Sequence, residues 1–114
     1  MITEFAQSGL QQTWAQAHSD CVVCSLSHRR GLCLKFAKHD DGGVQTDFNC
    51  DQAFESYKGI LHGGVTTSLL DGAMTNCMFA HGIPAVTAEL TVRFRHPVVI
   101  KEVAIVRAWI ESST

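Results

Sequence analysis

The stretch "LHGGVTTSLLDGAM", residues 61–74, decides the fold of this 114-residue chain. It begins a run in which apolar residues recur every four positions, as they do along one side of a helix. The members of this stripe are Leu61, Val65, Leu69, Ala73 and Cys77. The pattern predicts a helix from about residue 62 to residue 80, because Gly82 ends it and Pro84 prevents its continuation. The stripe must face a sheet built from the rest of the chain.

The segments on both sides of this helix alternate apolar and polar residues, as half-buried strands do. They are "LCLKFAKH" (32–39), "VQTDF" (44–48), "TAELTVRFRHP" (87–97) and "EVAIVRAWIE" (102–111). The sequence "DDGG" at 40–43 predicts a hairpin turn, since glycine accepts the positive φ that such turns need. Residues 3–17 suggest an amphipathic helix, and residues 51–60 suggest a loop. This order predicts an α+β fold, with an antiparallel sheet against one long helix.

Length and composition predict one cytoplasmic domain over residues 1–114, with residues 1–20 as an N-terminal helix and lead-in. Apolar residues make up 46% of the chain and charged residues only 18%, which suggests that a partner chain covers some surface. The net charge of -2 gives no case for binding nucleic acid or an anionic membrane. No signal peptide or membrane span is recognisable, so the five cysteines are expected to be reduced.

Asp71 is the one acidic residue of the predicted helix. It comes two positions after Leu69, about 200° around the helix, and therefore faces away from the sheet. A solvated helix face is the simple explanation, but its neighbours Leu70, Met74, Met78 and Phe79 are apolar. The helix also begins at His62-Gly63-Gly64, where free N–H groups and the helix dipole suit an oxyanion or a carbonyl oxygen. Both features could therefore belong to an active site.

The spacing of the two features sets a condition on that site. Gly63 and Asp71 are eight residues apart, about 12 Å along an α-helix, so one carbonyl group cannot contact both in one chain. Two such helices packed antiparallel across a two-fold axis would bring Gly63 of one chain near Asp71 of the other. If the features cooperate, the protein is a homodimer, or a tetramer made of two dimers, with composite sites.

These residues resemble a known family. "GILHGGVTTSLLDGAM" followed by "TAELTVRFRHPV" is similar to the hotdog-fold acyl-CoA thioesterases, in particular the phenylacetate-pathway (PaaI-like) branch. The upstream segments "CVVC", "GGVQTDF" and "FESYKGILHGG" are also similar to the family, so the resemblance covers roughly residues 20 to 110. It implies a hotdog fold, in which an antiparallel sheet wraps round one long central helix. It also implies hydrolysis of acyl-CoA without a metal or another cofactor.

The resemblance assigns roles to individual residues. It implies that Asp71 is the catalytic nucleophile or general base, and that Thr87 helps to hold the attacking water. Gly63, with Gly64 beside it, would donate backbone N–H to the thioester oxygen, and His62 would orient that loop or the carbonyl. A thioester needs both an activated oxygen and a positive spot for the developing oxyanion.

This chain also departs from the family pattern. Relatives often have Asn or Gln six or seven residues before the histidine, where Ser56 and Glu55 stand here; Ser56 could substitute as a donor. Two further C-terminal strands are usual, so either the chain is truncated or its sheet is completed in an unusual way. These departures motivate an alternative, a non-catalytic acyl-CoA-binding hotdog module. A moderately apolar pocket, suited to aryl or medium-chain acyl groups, is expected from Tyr57, Met74, Met78 and Phe79.

Other residues have two interpretations. Arg93 and Arg95 fit either a charged sheet face or an anchor for the phosphates of coenzyme A. Cys21 and Cys24 have the spacing of half a zinc knuckle, with His18, His28 and Cys33 nearby, but no second pair completes it. A packed loop, a zinc site and a redox pair all remain open, the packed loop being favoured. Cys50 and Cys77 are expected to be small core residues.

Overall fold

The computed structural model describes Leu10, residues 21–26 and residues 31–112, and these residues form a sheet packed on one long helix. The strands are β1 (Ala37–Lys38), β2 (Val44–Asn49) and β3 (Val103–Ala108), and the helix is α1 (Gly63–Ala80). The predicted α+β class is confirmed. The helix predicted over 3–17 lies outside the described residues except for Leu10, which is helical and buried.

The sheet is antiparallel, with β2 in the centre and the order β1-β2-β3. The predicted hairpin turn is confirmed: the His39 N–H donates to the Gly43 carbonyl oxygen at 2.8 Å, and Gly42 has a φ of 87°. The predicted alternation in β2 is confirmed as well. Its buried residues Val44, Thr46 and Phe48 share one face of the sheet, toward the core.

The helix buries the predicted apolar stripe, because Leu61, Leu69, Ala73 and Cys77 are at most 3% exposed and Val65 is half-buried. A second side of the helix is covered by the loop of residues 21–26. A Cβ built on Gly72 would lie 2.5 Å from Cγ1 of Val23, so only glycine allows this close approach. The helix is therefore enclosed by the sheet and by this loop.

The strand predicted over residues 32–39 forms only at its end, in β1. Leu34 and Phe36 are buried as the alternation requires, yet residues 31–36 are not paired into the sheet. The backbone N–H groups of Leu32 and Leu34 instead donate to the carbonyl oxygens of Val22 and Val23, at 2.8 and 3.0 Å. Cys33, between them, has a φ of 55°, which breaks the extended conformation.

The strand predicted over residues 87–97 is absent from the described chain, and that prediction is wrong. The segment has no strand assignment, although Leu90 and Val92 are half-buried while their neighbours are exposed. A strand needs the backbone of a neighbour, and this segment does not pair with β3, the edge strand of the sheet. Residues 90–92 and 107–112 instead line a common groove. No helix in the described part of the chain is long and apolar enough to cross a membrane.

Candidate functional site

The start of α1 is capped by the side chain of His62. His62 has an extended backbone, with φ -60° and ψ 132°, and its Nδ1 accepts the Gly64 N–H at 2.8 Å. An imidazole nitrogen that accepts a hydrogen bond carries no proton, so the neutral ring is protonated on Nε2. His62 is exposed, and this Nε2–H is a donor beside the helix N-terminus.

The cap changes which backbone donors the helix offers. The Gly64 N–H is used by His62, whereas the Gly63 N–H donates no hydrogen bond within the described part of the chain. A Cβ built on Gly63 would meet ring carbons of Phe94 at 3.6 and 3.7 Å, so this aromatic ring lies over the first turn. The position of Phe94 does not follow from the sequence, because alternation alone does not show what a side chain contacts.

Asp71 and Thr87 are brought together by the fold. The Thr87 hydroxyl donates to Oδ1 of Asp71 at 2.5 Å, across 16 positions of sequence. Asp71 is the half-buried ninth residue of α1, and Thr87 is exposed in the segment that follows the helix. Among the described residues no donor contacts the other carboxylate oxygen, so Oδ2 is open to a water molecule or a substrate.

The apolar surroundings of this pair are partly those expected. Met74 and Met78 line a pocket of about 160 Å³ together with residues 85–89, which include Thr87. Phe79 and Tyr57 do not line this pocket. Phe79 is fully buried in the core, because it lies on a side of the helix that the rest of the chain covers, whereas Tyr57 is 81% exposed.

The loop before the helix is held by its own hydrogen bonds. Oε2 of Glu55 accepts the Gly59 N–H at 2.7 Å, and the Ser56 hydroxyl donates to the Ile60 carbonyl oxygen at 3.5 Å. The His62 N–H donates to the Phe54 carbonyl oxygen at 2.8 Å and fixes the loop to the start of the helix. The Ser56 bond is long for a hydroxyl group, so it holds the side chain only weakly.

A family model described as "Thioesterase superfamily" matches residues 58–114, half of the chain. The chain belongs to the thioesterase superfamily. The matched residues include the whole of α1, Asp71 and Thr87. No match is found among curated proteins.

Solved structures of other thioesterase superfamily proteins share the fold. One crystal structure, of a protein described as a thioesterase superfamily protein, has a TM-score of 0.77 and 22% identity, over 82% of this chain and 46% of its own. Thioesterase superfamily member 2 from Mus musculus has a TM-score of 0.71 and 17% identity, over 99% of this chain and 78% of its own. Zebrafish thioesterase superfamily member 2 has a TM-score of 0.67 and 19% identity, over 91% of this chain and 73% of its own. The chain thus spans less than half the length of the first of these proteins. The predicted hotdog arrangement is confirmed.

The charged residues of this superfamily member do not converge on Asp71. Arg93 and Arg95 are exposed, and neither forms an ion pair with a described residue. Arg107 instead binds Oδ2 of Asp41 at 3.2 Å on the far end of β3. The hydrogen bond from the Gly43 N–H lowers the pKa of Asp41 below its usual value, and the positive charge of Arg107 lowers it further.

Three of the five cysteines, Cys24, Cys50 and Cys77, are buried. Cys24 is buried in the 21–26 loop, and no group of metal-binding side chains occurs among the described residues, which exclude His18 and His28. Cys50 and Cys77 are 1% and 2% exposed, as predicted for core residues. Burial raises the pKa of both thiols, so neither is a thiolate nucleophile at neutral pH.

Proposed function

We propose that this thioesterase-superfamily domain hydrolyses acyl-CoA to the free acid and CoA, as the PaaI-like branch that it resembles does. The observation that carries the proposal is the hydrogen bond from Thr87 to Asp71, at 2.5 Å. It joins the carboxylate and the hydroxyl that the resemblance singles out, although 16 positions separate them. We expect the reaction to take place in the cytoplasm.

The chemistry requires an oxygen nucleophile and a way to stabilise negative charge on the thioester oxygen. Oδ2 of Asp71 either attacks the thioester carbon, which expels CoA as a thiolate and leaves an anhydride that water then hydrolyses, or removes a proton from a water whose attack on that carbon breaks the C–S bond and releases CoA. The Thr87 hydroxyl fixes the carboxylate, since it occupies Oδ1. The carbonyl oxygen lies at a helix start, where the Gly63 N–H and the Nε2–H of His62 donate to it.

The donors and the carboxylate of one reaction come from two chains. Gly63 and Asp71 are the first and ninth residues of α1, which places them about 12 Å apart along the helix. We therefore propose a homodimer in which the helix start of one chain faces the Asp71 of its partner. Static light scattering should give twice the chain mass or more. A monomer with full activity would exclude the composite site.

The fixed loop of residues 55–61 favours a second candidate, an acyl-CoA-binding module without turnover. Relatives often have an Asn or Gln donor in this loop, whereas here Glu55 accepts the Gly59 N–H and Ser56 stands in the other place. Such a module would bind acyl-CoA through the same surfaces, and the exposed Arg93 and Arg95 would bind the CoA phosphates.

Turnover of acyl-CoA by the purified protein separates the two candidates. Acetyl-, butanoyl-, benzoyl- and dodecanoyl-CoA would be incubated with the protein and free CoA followed by liquid chromatography. An enzyme gives multiple turnovers with at least one of them. Saturable binding by calorimetry with no released CoA would instead establish the binding module. Acylated Asp71, trapped by rapid quenching and detected by mass spectrometry, would identify a nucleophile rather than a general base.

A further inference from the structure

Two apolar spaces of different size meet at the same two side chains. The smaller, about 160 Å³, lies beside Thr87 and is lined by Met74 and Met78. The larger is a groove of about 590 Å³, lined by Leu70, Cys77, Leu90 and Val92 among others, and again by Met74 and Met78. The two methionines, one helical turn apart on α1, therefore form the partition between the spaces.

The smaller space adjoins the reacting groups of the proposed function. Thr87 lines it and at the same time donates its hydroxyl hydrogen to Asp71. An acyl group whose carbonyl carbon lies at Asp71 can therefore extend its first carbon atoms into this pocket. An apolar cavity of about 150 Å³ is known to take a benzene molecule, so the pocket fits an acyl group of about one ring. The larger groove falls within the range of about 300–1,000 Å³ that holds extended ligands.

The partition is built from side chains that can move. Methionine is unbranched, has three rotatable bonds and adapts its shape to a ligand at small cost. Met74 is 38% exposed and Met78 is half-buried, so neither is fixed by the core on every side. The direct path of a longer acyl chain from the pocket to the groove crosses these two side chains, so we expect one of them to move when such a chain binds.

We propose that Met74 and Met78 determine the acyl-chain length that this site accepts. With both in place the site takes acyl groups up to about one ring, and their removal joins the pocket to the groove and admits long chains. This inference rests on the proposed function, because it places the thioester at Asp71. It assigns specificity to side chains that take no part in bond making.

The test compares kcat/KM for butanoyl-, benzoyl- and dodecanoyl-CoA in the full chain. The parent should favour the two compact substrates over dodecanoyl-CoA by at least tenfold, on the scale of a few methylene groups that find no room. Met78→Ala should raise the ratio of kcat/KM for dodecanoyl-CoA to kcat/KM for butanoyl-CoA by tenfold or more. Met78→Leu, which conserves the side-chain volume, should keep the parent's relative kcat/KM values for the three substrates.

Two further variants sharpen the test. Leu90 lines the groove and not the pocket, so Leu90→Trp in the Met78→Ala background should cancel the gain with dodecanoyl-CoA by filling the groove. Ile105→Ala removes an exposed apolar residue of β3, away from both spaces, and should leave every rate unchanged. If Met78→Ala does not fold, Met74→Ala is the substitute, since Met74 is more exposed and its truncation costs less stability.

The outcomes distinguish this inference from the function on which it rests. A parent that turns over no acyl-CoA at all refutes the proposed function, and the inference with it. A parent that hydrolyses compact and long acyl groups equally well keeps the function and overturns the inference. The inference is also overturned if Met78→Ala and Met74→Ala are both active and both keep the parent's relative kcat/KM values for the three substrates.

Discussion

Replacement of Asp71 by asparagine tests the proposed mechanism most directly, because it removes the charge and keeps the shape. The carbonyl oxygen of the Asn side chain can still accept the Thr87 hydroxyl hydrogen bond, so the local structure should persist. The amide can neither attack a thioester nor accept a proton from water. If Asp71 is the nucleophile or the base, the turnover number should fall about a hundredfold or more. That loss corresponds to about 2.7 kcal/mol in the activation free energy.

The free energy of unfolding should hardly change in the same variant. Asp71 is the ninth of 18 residues in α1, so it lies beyond the end turns where the helix dipole acts. It has no ion pair in the described part of the chain, and Asn and Asp have similar helix propensities. We therefore expect a change within about 0.5 kcal/mol. A hundredfold slower enzyme with an unchanged melting curve separates a chemical role from a structural one.

The assay follows released CoA with acyl-CoA in excess, preferably by chromatography, because the exposed Cys33 would react with a thiol reagent. Asp47→Asn is the matched control, an exposed aspartate on β2 whose loss should change neither rate nor melting temperature. Asp71→Glu should retain part of the activity, since the carboxylate survives at a slightly longer reach. Parent-like turnover by Asp71→Asn would remove Asp71 from the mechanism and most of the case for an enzyme.

Three further experiments test the packing of α1, the electrostatics of Asp41 and the role of the 21–26 loop. Gly72→Ala should lower the free energy of unfolding, measured by denaturant titration, by about 1–3 kcal/mol, because its Cβ would meet Cγ1 of Val23 at 2.5 Å. Adding Val23→Ala, which removes that atom, should restore stability. Gly63→Ala is the control and should not destabilise the protein, because its Cβ would meet only Phe94, at 3.6 Å. Because folding lowers the pKa of Asp41, its carboxylate contributes stability above the unfolded pKa of about 3.9, and this stability is lost as the pH falls through the folded pKa. Below about pH 4 the melting temperature should therefore decline more steeply for the parent than for Asp41→Asn. Cys21→Ser with Cys24→Ser should leave the turnover number within about threefold if the loop is only packed; bound zinc whose removal unfolds the parent would establish a metal site instead.

Local sequence patterns determined the elements whose stability is decided nearby. The four-residue stripe, Gly82 and Pro84 predicted α1 to within a residue at its start, because periodicity and end signals act within a few turns. "DDGG" predicted the hairpin turn, because the positive φ of Gly42 is a property of one residue. The motif from His62 to Asp71 likewise predicts a site, because its residue types and spacing are local features of the chain.

Only the tertiary structure decided which alternating segments become strands. Residues 87–97 have a clear alternation and yet stay unpaired, because a strand is made by hydrogen bonds to a neighbour that its own sequence does not encode. Residues 31–36 keep the predicted burial but donate to the 21–26 loop instead of a strand. The bond from Thr87 to Asp71 and the pocket that Met74 and Met78 line beside Thr87 depend on the same long-range packing. Sequence spacing fixes the face on which a side chain lies, and the packing of distant segments determines what that face contacts.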